Sequence, residues 1–309
     1  MSSSSSSSDA PLIGVLALQG AFEEHQQCLE AVGVRTVQVR TPQELDGLDG
    51  IVLPGGESTA MGLIGRAATF QGQNMWEALQ DFAQHKPTWG TCAGMILLAE
   101  KCVGASAVIE NGQSLIGGTD IFVCRNYFGS QISSFEMATP GPPGIEPCDK
   151  SYPGVFIRAP AILSAGPGVE VLGRVVATPC RQGAVVLQEL ERKIAAGENV
   201  VMMGVVDALE RKDQGIQYRV VTKAHNPDAE QEEKKSDSNS DGGDDDDDNH
   251  AVIELPGAAD GTNAREVISA VRKDHVLCTA FHPELTKDYR WHQYFANMVK
   301  ETVTASTSS

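Results

Sequence analysis

The stretch KPTWGTCAGMILLAE, residues 86–100, is the part of this chain that best indicates its fold. A short strand-like run is followed by small residues, one cysteine at Cys92, and an apolar run that favours a helix. This order is typical of a nucleophile elbow, a sharp strand-to-helix turn that exposes a nucleophile. The first N–H groups of the helix would favour the thiolate form of Cys92. On this motif alone a buried structural cysteine is an equally good interpretation, because free cysteine often packs as a small hydrophobic residue.

A second motif near the other end of the chain favours the catalytic interpretation. The apolar run at residues 276–281 has strand character and ends in His282, Pro283 and Glu284. Proline pushes the preceding residue into an extended conformation, and residues two apart on an extended segment face the same side. The Glu284 carboxylate could therefore hold one ring nitrogen of His282 and leave the other free to act as a general base. An isolated His-Pro-Glu is more simply a surface pair, but together with the elbow it predicts a Cys92, His282, Glu284 triad.

Strands and helices alternate at short spacing in the first part of the chain. Predicted strands cover residues 12–18, 34–39, 50–53 and 87–91, predicted helices cover 22–32 and 75–84, and Ser58 is predicted to cap a further helix. This alternation predicts an α/β fold with a mostly parallel central sheet. After Ala99 the pattern is β-rich at residues 119–124, 131–137, 154–157 and 169–177, which predicts antiparallel additions before a closing helix at 290–301.

Five short motifs in this order carry a resemblance to a known family. They are Gly14–Gly20, Leu53–Thr59, Arg125–Gly129, Gly154–Pro160 and Phe281–Thr286, in addition to the Gly-Thr-Cys-Ala-Gly elbow. The elbow and the His-Pro-Glu motif resemble the class I, or triad, glutamine amidotransferases. The full set resembles the glutaminase subunits of pyridoxal 5′-phosphate synthase, over residues 11 to about 174 and about 265 to 300. The resemblance implies a flavodoxin-like, three-layer α/β/α fold.

The resemblance also implies roles for individual residues. Cys92, His282 and Glu284 would hydrolyse the side-chain amide of L-glutamine. Backbone N–H groups near Gly55 and Gly56, and that of Ala93, are the candidates for the oxyanion hole. The amino-acid end of glutamine would be bound by residues on several loops, namely Gly56, Glu57, Ser58, Arg125, Ile157 and Arg158. Gln19 would couple the docking of a partner to the oxyanion peptide, with a simple loop amide as the alternative.

A partner follows from the same resemblance. Ammonia would pass to a separate synthase subunit, a (β/α)8 barrel, in a hetero-oligomer built around a dodecameric core. The chain has no P-loop and no GxGxxG motif, so no cofactor is expected in this subunit. Its cysteines lack paired metal-ligand spacing, so no metal is expected either. The other six histidines, His25, His85, His225, His250, His275 and His292, belong to no motif and are predicted to be solvated or packed.

The amino-acid composition indicates which class of protein this is and in which cellular compartment it is expected. The chain of 309 residues has 41% hydrophobic residues, as soluble globular proteins do, and no apolar run long enough to span a membrane. Its net charge of −17 argues against binding to nucleic acid or to acidic membranes. The seven cysteines show no CxxC spacing, and the serine-rich start has none of the features of a secretory signal. These features predict a cytoplasmic protein with free thiols.

The organisation predicted from the sequence is one glutaminase domain at residues 11–302. It is flanked by a disordered serine-rich tail at 1–10 and a disordered C-terminal tail at 303–309. An insertion at about 175–265 departs from the family pattern, with a segment at 185–211 that could be partly helical and a strand pattern at 215–222. Within it, residues 226–250 contain eleven acidic residues and two lysines, which predicts a disordered, solvated spacer.

Two other functions remain open from the sequence. One is a different enzyme on the same scaffold, such as a γ-glutamyl hydrolase or an amidotransferase subunit that serves another acceptor. The motifs at Arg125–Gly129 and Gly154–Pro160 argue against it. The other is a regulatory relative that kept the fold and lost turnover. The intact Cys92, His282 and Glu284 argue against that, although the long insertion could block docking.

Overall fold

The computed structural model describes residues 10–67, 69–70, 72–104, 115–129, 134–196, 200–201, 203–204, 217–223, 252–259 and 262–307. Residues 1–9 of the serine-rich tail and the acidic segment 226–250 lie outside these ranges, so what the sequence predicts for them stays a prediction.

Helices and strands alternate first and strands dominate later, as the pattern predicts. The helices are α1 (Phe22–Ala31), α2 (Ser58–Ala67), α3 (Met75–His85), α4 (Ala93–Leu98), α5 (Arg181–Ala195) and α6 (Arg290–Thr307). The strands are β1 (Leu12–Leu16), β2 (Arg35–Val39), β3 (Gly50–Leu53), β4 (Thr69–Phe70), β5 (Gln73–Asn74), β6 (Thr88–Thr91), β7 (Ala99–Val103), β8 (Thr119–Cys124), β9 (Ser134–Thr139), β10 (Tyr152–Ile157), β11 (Ala161–Ala165), β12 (Glu170–Ala177), β13 (Val200–Val201), β14 (Met203–Gly204), β15 (Gln217–Lys223), β16 (Val252–Pro256), β17 (Arg265–Lys273) and β18 (Val276–Thr279). Two 3₁₀ turns of functional or structural interest cover Pro42–Leu45 and Pro283–Leu285.

The main sheet of the described residues has eleven strands in the order β14-β7-β8-β11-β17-β18-β6-β3-β1-β2, with β12 paired to β17. The five strands β2, β1, β3, β6 and β18 run parallel to one another. Antiparallel pairs then join β18 to β17, β17 to β12 and β11, and β11 to β8. This mixed sheet with its helices confirms the predicted α/β class, with a parallel core and antiparallel additions.

Burial on both faces explains why the core strands read as apolar runs. The strands β3, β6 and β18 are buried along their whole length, so no alternation of polar and apolar residues is needed. Helix α1 packs with α6, and α2 packs with α3 and α4. Helix α3 begins with a capping box, in which Asn74 accepts from the Glu77 N–H and Glu77 accepts from the Asn74 N–H. The carboxyl ends of the parallel strands are therefore held at one edge of a rigid core.

Several boundaries differ from the sequence prediction. Helix α6 continues to Thr307, so residues 303–307 are helical and do not form the predicted tail. Val303 packs against the core, and the Ser306 hydroxyl donates to the Thr302 carbonyl four residues earlier. Strand β11 was not predicted, and helix α5 begins at Arg181, four residues before the segment 185–211 that was predicted to be partly helical.

The described part of the insertion contributes ordered elements to the fold. The Cys180 thiol caps α5 by accepting from the Gly183 N–H. Arg265 of β17 donates to the Glu191 carboxylate of α5 at 2.6 Å and to the Pro256 carbonyl. The predicted strand at 215–222 is β15, which pairs in parallel with β16.

Candidate active site

Cys92 occupies the sharp turn between β6 and α4. Its backbone has φ 48° and ψ −101°, a region that non-glycine residues rarely adopt and that costs about 1–3 kcal/mol. The Cys92 N–H donates to the Thr279 carbonyl of β18 at 2.8 Å, which holds the turn against the neighbouring strand. The strain and this anchor together give the elbow geometry that the sequence predicts.

Close main-chain neighbours leave room only for glycine at the two positions that flank Cys92, Gly90 and Gly94. A Cβ atom on Gly94 would lie 1.9 Å from the Leu53 carbonyl oxygen, and one on Gly90 would lie 2.6 Å from the Gly94 backbone. Both neighbours are main-chain atoms, which cannot rotate away. Strand β6, strand β3 and the start of α4 therefore approach one another closely only because these positions are glycine.

His282 and Glu284 lie on the turn that follows β18. The His282 Nδ1 is 2.7 Å from the Glu284 Oε1, and the His282 N–H donates to the Val155 carbonyl of β10 at 2.8 Å. The predicted contact is present, but the predicted extended segment is wrong, because Pro283–Leu285 forms a 3₁₀ turn. Proline suits the first position of a helical turn, where its missing N–H costs nothing.

Burial and close charges shift the pKa values of both residues. Burial lowers the pKa of His282, but the Cys92 sulfur and the Glu284 carboxylate outweigh it, so this pKa lies well above the ordinary value. Burial raises the pKa of Glu284, but His25 first and then His282 outweigh it, so this pKa lies well below the ordinary value. The arrangement therefore favours an anionic carboxylate and a basic imidazole next to Cys92.

The predicted substrate-binding residues surround one cavity of about 280 Å³ that contains Cys92 and His282. Its lining includes the predicted Gly55, Gly56, Glu57, Ser58, Ala93, Arg125, Ile157 and Arg158. The cavity is also lined by six residues that were not predicted to bind substrate, namely Gly20, Ala21, Ile96, Asn126, Pro160 and Leu285. Four of them, Gly20, Asn126, Pro160 and Leu285, lie within the family motifs. Residues from both halves of the chain thus meet at the carboxyl edge of the parallel strands.

Arg125 supplies buried positive charge to this cavity. Its guanidinium donates to the hydroxyls of Ser58 and Thr59, each at 3.0 Å, and burial lowers its pKa. Its Nε has no hydrogen-bond partner among the described residues. Arg158 is exposed and has a positive φ of 48° at the end of the β9–β10 hairpin. Arg125 is the better-positioned of the two to receive an anionic group.

The loop that carries Gly55 and Gly56 is held by polar contacts on both sides. Gln19 Oε1 accepts from the Glu57 N–H at 2.7 Å, and the Gly55 carbonyl accepts from the Ala21 N–H at 3.1 Å. The prediction that Ser58 caps α2 is wrong. The Glu57 carboxylate accepts from the N–H groups of Thr59 and Ala60, because its longer side chain reaches both.

Two histidines that were predicted to be solvated or packed lie directly behind the predicted triad. His25 and His292 are fully buried, and the His25 Nε2 is 3.3 Å from the Glu284 Oε2. One signal could have indicated His25, since it lies on the same helix face as the buried Cys28 and Leu29. Nothing in the sequence links it to Glu284.

Two kinds of feature are absent from the described residues. They contain no group of three His, Cys, Asp or Glu side chains arranged to bind a metal ion. Within the same ranges, no helix is both long and apolar enough to cross a bilayer.

Known proteins resemble this chain in sequence and in fold. A probable pyridoxal 5′-phosphate synthase subunit PDX2 from Arabidopsis thaliana is 36% identical over 96% of this chain and 89% of its own length. The pyridoxal 5′-phosphate synthase subunit PdxT from Pelotomaculum thermopropionicum is 48% identical over 52% of this chain and 76% of its own length. A crystal structure of a glutamine amidotransferase superposes with a TM-score of 0.56 at 27% identity, covering 93% of this chain and 98% of the other.

The family resemblance seen in the sequence motifs is confirmed by a family profile that matches residues 15–197. The chain belongs to the SNO glutamine amidotransferase family.

Proposed function

We propose that this chain is the glutaminase subunit of a pyridoxal 5′-phosphate synthase, in which a Cys92, His282, Glu284 triad hydrolyses L-glutamine. Its family is one of glutamine amidotransferases, and its relatives are named as subunits of the synthase that makes this form of vitamin B6. The proposed triad is supported by the arrangement of side chains around one cavity. A strained cysteine and a carboxylate-bound imidazole face one cavity that also contains a buried arginine.

The reaction begins with the proton of the Cys92 thiol. Because Nδ1 of His282 is held by Glu284, Nε2 is the nitrogen that can accept this proton. The sulfur attacks the amide carbon of glutamine, and His282 then gives the proton to the departing ammonia. A γ-glutamyl thioester remains on Cys92. Water activated by His282 breaks the thioester, which releases glutamate and restores the thiol.

The negative oxygen of the tetrahedral intermediate needs hydrogen-bond donors. Ala93 is the first residue of α4, so its N–H has no acceptor within the helix. The Gly55–Gly56 main chain passes close to the triad, since a Cβ atom on Gly55 would lie 2.3 Å from the His282 ring. Losing one such donor typically raises the barrier by about 3–4 kcal/mol.

The amino-acid end of glutamine carries an α-carboxylate and an α-amino group. We assign the α-carboxylate to Arg125, which can bind it through two hydrogen bonds. Glu57, Ser58, Ile157 and Arg158 form the remaining wall around this end of the substrate. Glutamine binding would also recover part of the cost of burying the Arg125 charge.

The released ammonia would pass to the separate synthase subunit, the (β/α)8 barrel. We propose that Gln19 transmits docking of that subunit to the oxyanion loop, because its side chain bonds the Glu57 N–H and contacts Gly56. A hetero-oligomer with a dodecameric barrel core and a cytoplasmic location belong to the same proposal.

The test is ammonia release from L-glutamine by the full chain, alone and mixed with the barrel subunit. We expect release that increases when the barrel subunit is present and disappears in Cys92→Ala. Cys28→Ala is the matched control, since Cys28 is also a buried thiol but lies outside the cavity. Release that survives in Cys92→Ala would rule out the nucleophile, and an absence of release with the partner would rule out the function.

A further inference from the structure

The described residues contain a second layer of buried polar side chains behind Glu284. His25 on α1 has its Nε2 3.3 Å from the Glu284 Oε2 and 3.1 Å from the Thr91 Oγ1. Its Nδ1 is 3.1 Å from the Nε2 of His292 on α6. Both histidine rings also contact the Trp89 ring edge to face. The catalytic steps described above do not use this cluster.

The hydrogen-bond pattern determines where the protons lie. Burial holds the pKa of His292 well below its ordinary value, so this ring is neutral. Its Nδ1 is buried without a partner among the described residues, which is tolerable for a lone pair and costly for an N–H. His292 therefore carries its proton on Nε2 and donates to the His25 Nδ1. The Nε2 of His25 must then carry the proton that faces Glu284 and Thr91.

The second oxygen of Glu284 depends on this proton. The Glu284 side chain is completely buried, and its Oε1 is bound to His282. Its Oε2 has no hydrogen bond within the described residues, so the N–H of His25 at 3.3 Å is the dipole that faces it. A buried carboxylate oxygen without such a donor would favour the protonated, neutral acid.

We propose that His25 is a positioning residue of the triad, which holds the Glu284 carboxylate charged and turned so that Oε1 stays on His282. The same ring contacts Thr91, the residue before Cys92, so one side chain braces both the acid and the elbow. The proposal rests on the proposed function of the triad.

Two polar variants of His25 test whether the position of its donor N–H, and not only a polar side chain, is required. In His25→Gln the side-chain amide extends to the position of the ring Nε2 and can still donate to Glu284. In His25→Asn the amide ends near the position of Nδ1 and cannot reach the carboxylate. We expect His25→Asn to lower kcat for ammonia release by about tenfold to a hundredfold, as for the loss of a favourable polar contact with a buried charged group. KM should stay unchanged, because His25 does not line the cavity, and His25→Gln should recover most of the rate.

The pH dependence of Cys92 alkylation by iodoacetamide is the second readout, and it requires no glutamine turnover. Without the His25 N–H, Glu284 takes up a proton at higher pH, and the His282 imidazolium then loses its partner. The acid limb of the alkylation profile should therefore move up by about one pH unit or more in His25→Asn, and little in His25→Gln.

Four other titratable side chains lie around Glu284, and one of them provides a control for the His25 variants. They are His282 on the same turn, Cys28 on α1, His292 on α6 and Tyr152 on β10. Cys28→Ala removes a buried side chain of α1 that touches the Glu284 backbone carbonyl and not its carboxylate. It should leave the acid limb and kcat unchanged.

The results that would overturn the proposal are specific. One is a folded His25→Asn with the acid limb and kcat of the unsubstituted protein, and another is a Cys28→Ala that reproduces the effects of His25→Asn. If no His25 variant folds, the ring ¹⁵N chemical shifts of His25 in the unsubstituted protein test the proposal, because they show which ring nitrogen carries the proton. An unprotonated Nε2 would contradict the proposal. If the unsubstituted protein releases no ammonia with its partner, the proposed function fails, but the alkylation profile still tests His25.

Discussion

Glu284 is the residue whose properties depend most on its surroundings. Its carboxylate is completely buried, which by itself would favour the neutral acid, yet the adjacent imidazoles reverse that preference. The charged carboxylate in turn helps to raise the pKa of His282. Single residues at this site are therefore linked in both directions, and a change at one should appear in the titration of the others.

Replacing Glu284 with glutamine tests the orienting acid. We expect Glu284→Gln to lower kcat by about 10³-fold to 10⁴-fold, because the amide keeps the shape but cannot balance the imidazolium charge. Ammonia release with the barrel subunit measures this effect. Glu77→Gln is the matched control, since Glu77 lies in the capping box of α3, and it should keep the rate of the unsubstituted protein. Equal losses in the two variants would contradict the role of Glu284.

The same variant predicts a pH dependence of stability. Since the pKa of Glu284 is lowered on folding, its carboxylate stabilises the folded state above the ordinary glutamate pKa, near 4.5. This contribution is lost as the pH falls below that value toward the lower pKa of the folded state. The difference in free energy of unfolding between the unsubstituted protein and Glu284→Gln should therefore shrink as the pH falls below about 4.5.

Among the described elements, the turn from β6 to α4 is tightly constrained. It combines a positive φ at Cys92 with main-chain contacts at Gly90 and Gly94 that leave no space for a Cβ atom. The hairpin β9–β10 supports the opposite side of the site, because the Val155 carbonyl accepts from the His282 N–H. The two halves of the triad are thus positioned by elements that are distant in sequence.

Substituting Gly94 with alanine tests the elbow as an element. The new Cβ atom would lie 1.9 Å from the Leu53 carbonyl oxygen, so α4 must move away from β3. We expect a loss of about 1–3 kcal/mol in the free energy of unfolding and a slower alkylation of Cys92. Urea unfolding and iodoacetamide kinetics measure the two effects.

Gly33→Ala provides the comparison for Gly94→Ala. Gly33 also has a positive φ, of 81°, but a Cβ atom added there would have no neighbouring atom within 4 Å, so only backbone strain of about 1–2 kcal/mol is expected. Cys92 should react at its normal rate in this variant. If Gly94→Ala kept the normal alkylation rate as well, the close approach of α4 and β3 would not control the nucleophile.

The molecule as a whole combines a compact catalytic core with a long excursion between β12 and β17. Part of that excursion is bound to the core through α5 and the Arg265–Glu191 pair. The strands β15 and β16 pair in parallel, with Arg219 opposite Val252 and Lys223 opposite Pro256. Two parallel neighbouring strands require a connection of about a dozen residues or more.

The parallel pairing of β15 and β16 makes it possible to test separately what the length and the charge of the acidic segment contribute. Replacing the eleven acidic residues of 226–250 with serine would change the net charge from −17 to −6 and keep the length. We expect Tm and the Cys92 alkylation rate to be unchanged. Deleting 226–250 would leave three residues between the paired strands, so β16 should lose its protection from hydrogen exchange. An equal loss of protection in the serine variant would mean that the charges themselves stabilise the fold.

The sequence by itself determined the α/β class, the elbow at Cys92, and the contact between His282 and Glu284. Each of these depends on residues a few positions apart, where local patterns of apolar residues, glycine and proline are informative. The His282–Glu284 contact was predicted correctly, although the backbone that makes it is a 3₁₀ turn and not the predicted extended segment. Family motifs extended this to the residues that line the cavity.

Only the tertiary structure decided which side chains stand behind the triad. His25 and Glu284 are brought together by the packing of α1 against the turn after β18, and His25 and His292 are 267 residues apart in the sequence. No local pattern encodes such a contact, because it arises from the order of strands in the sheet and the packing of helices on it. The 3₁₀ turn at Pro283 and the cap of α2 by Glu57 were missed for a similar reason, since several local conformations suit those residues and the surrounding core selects one.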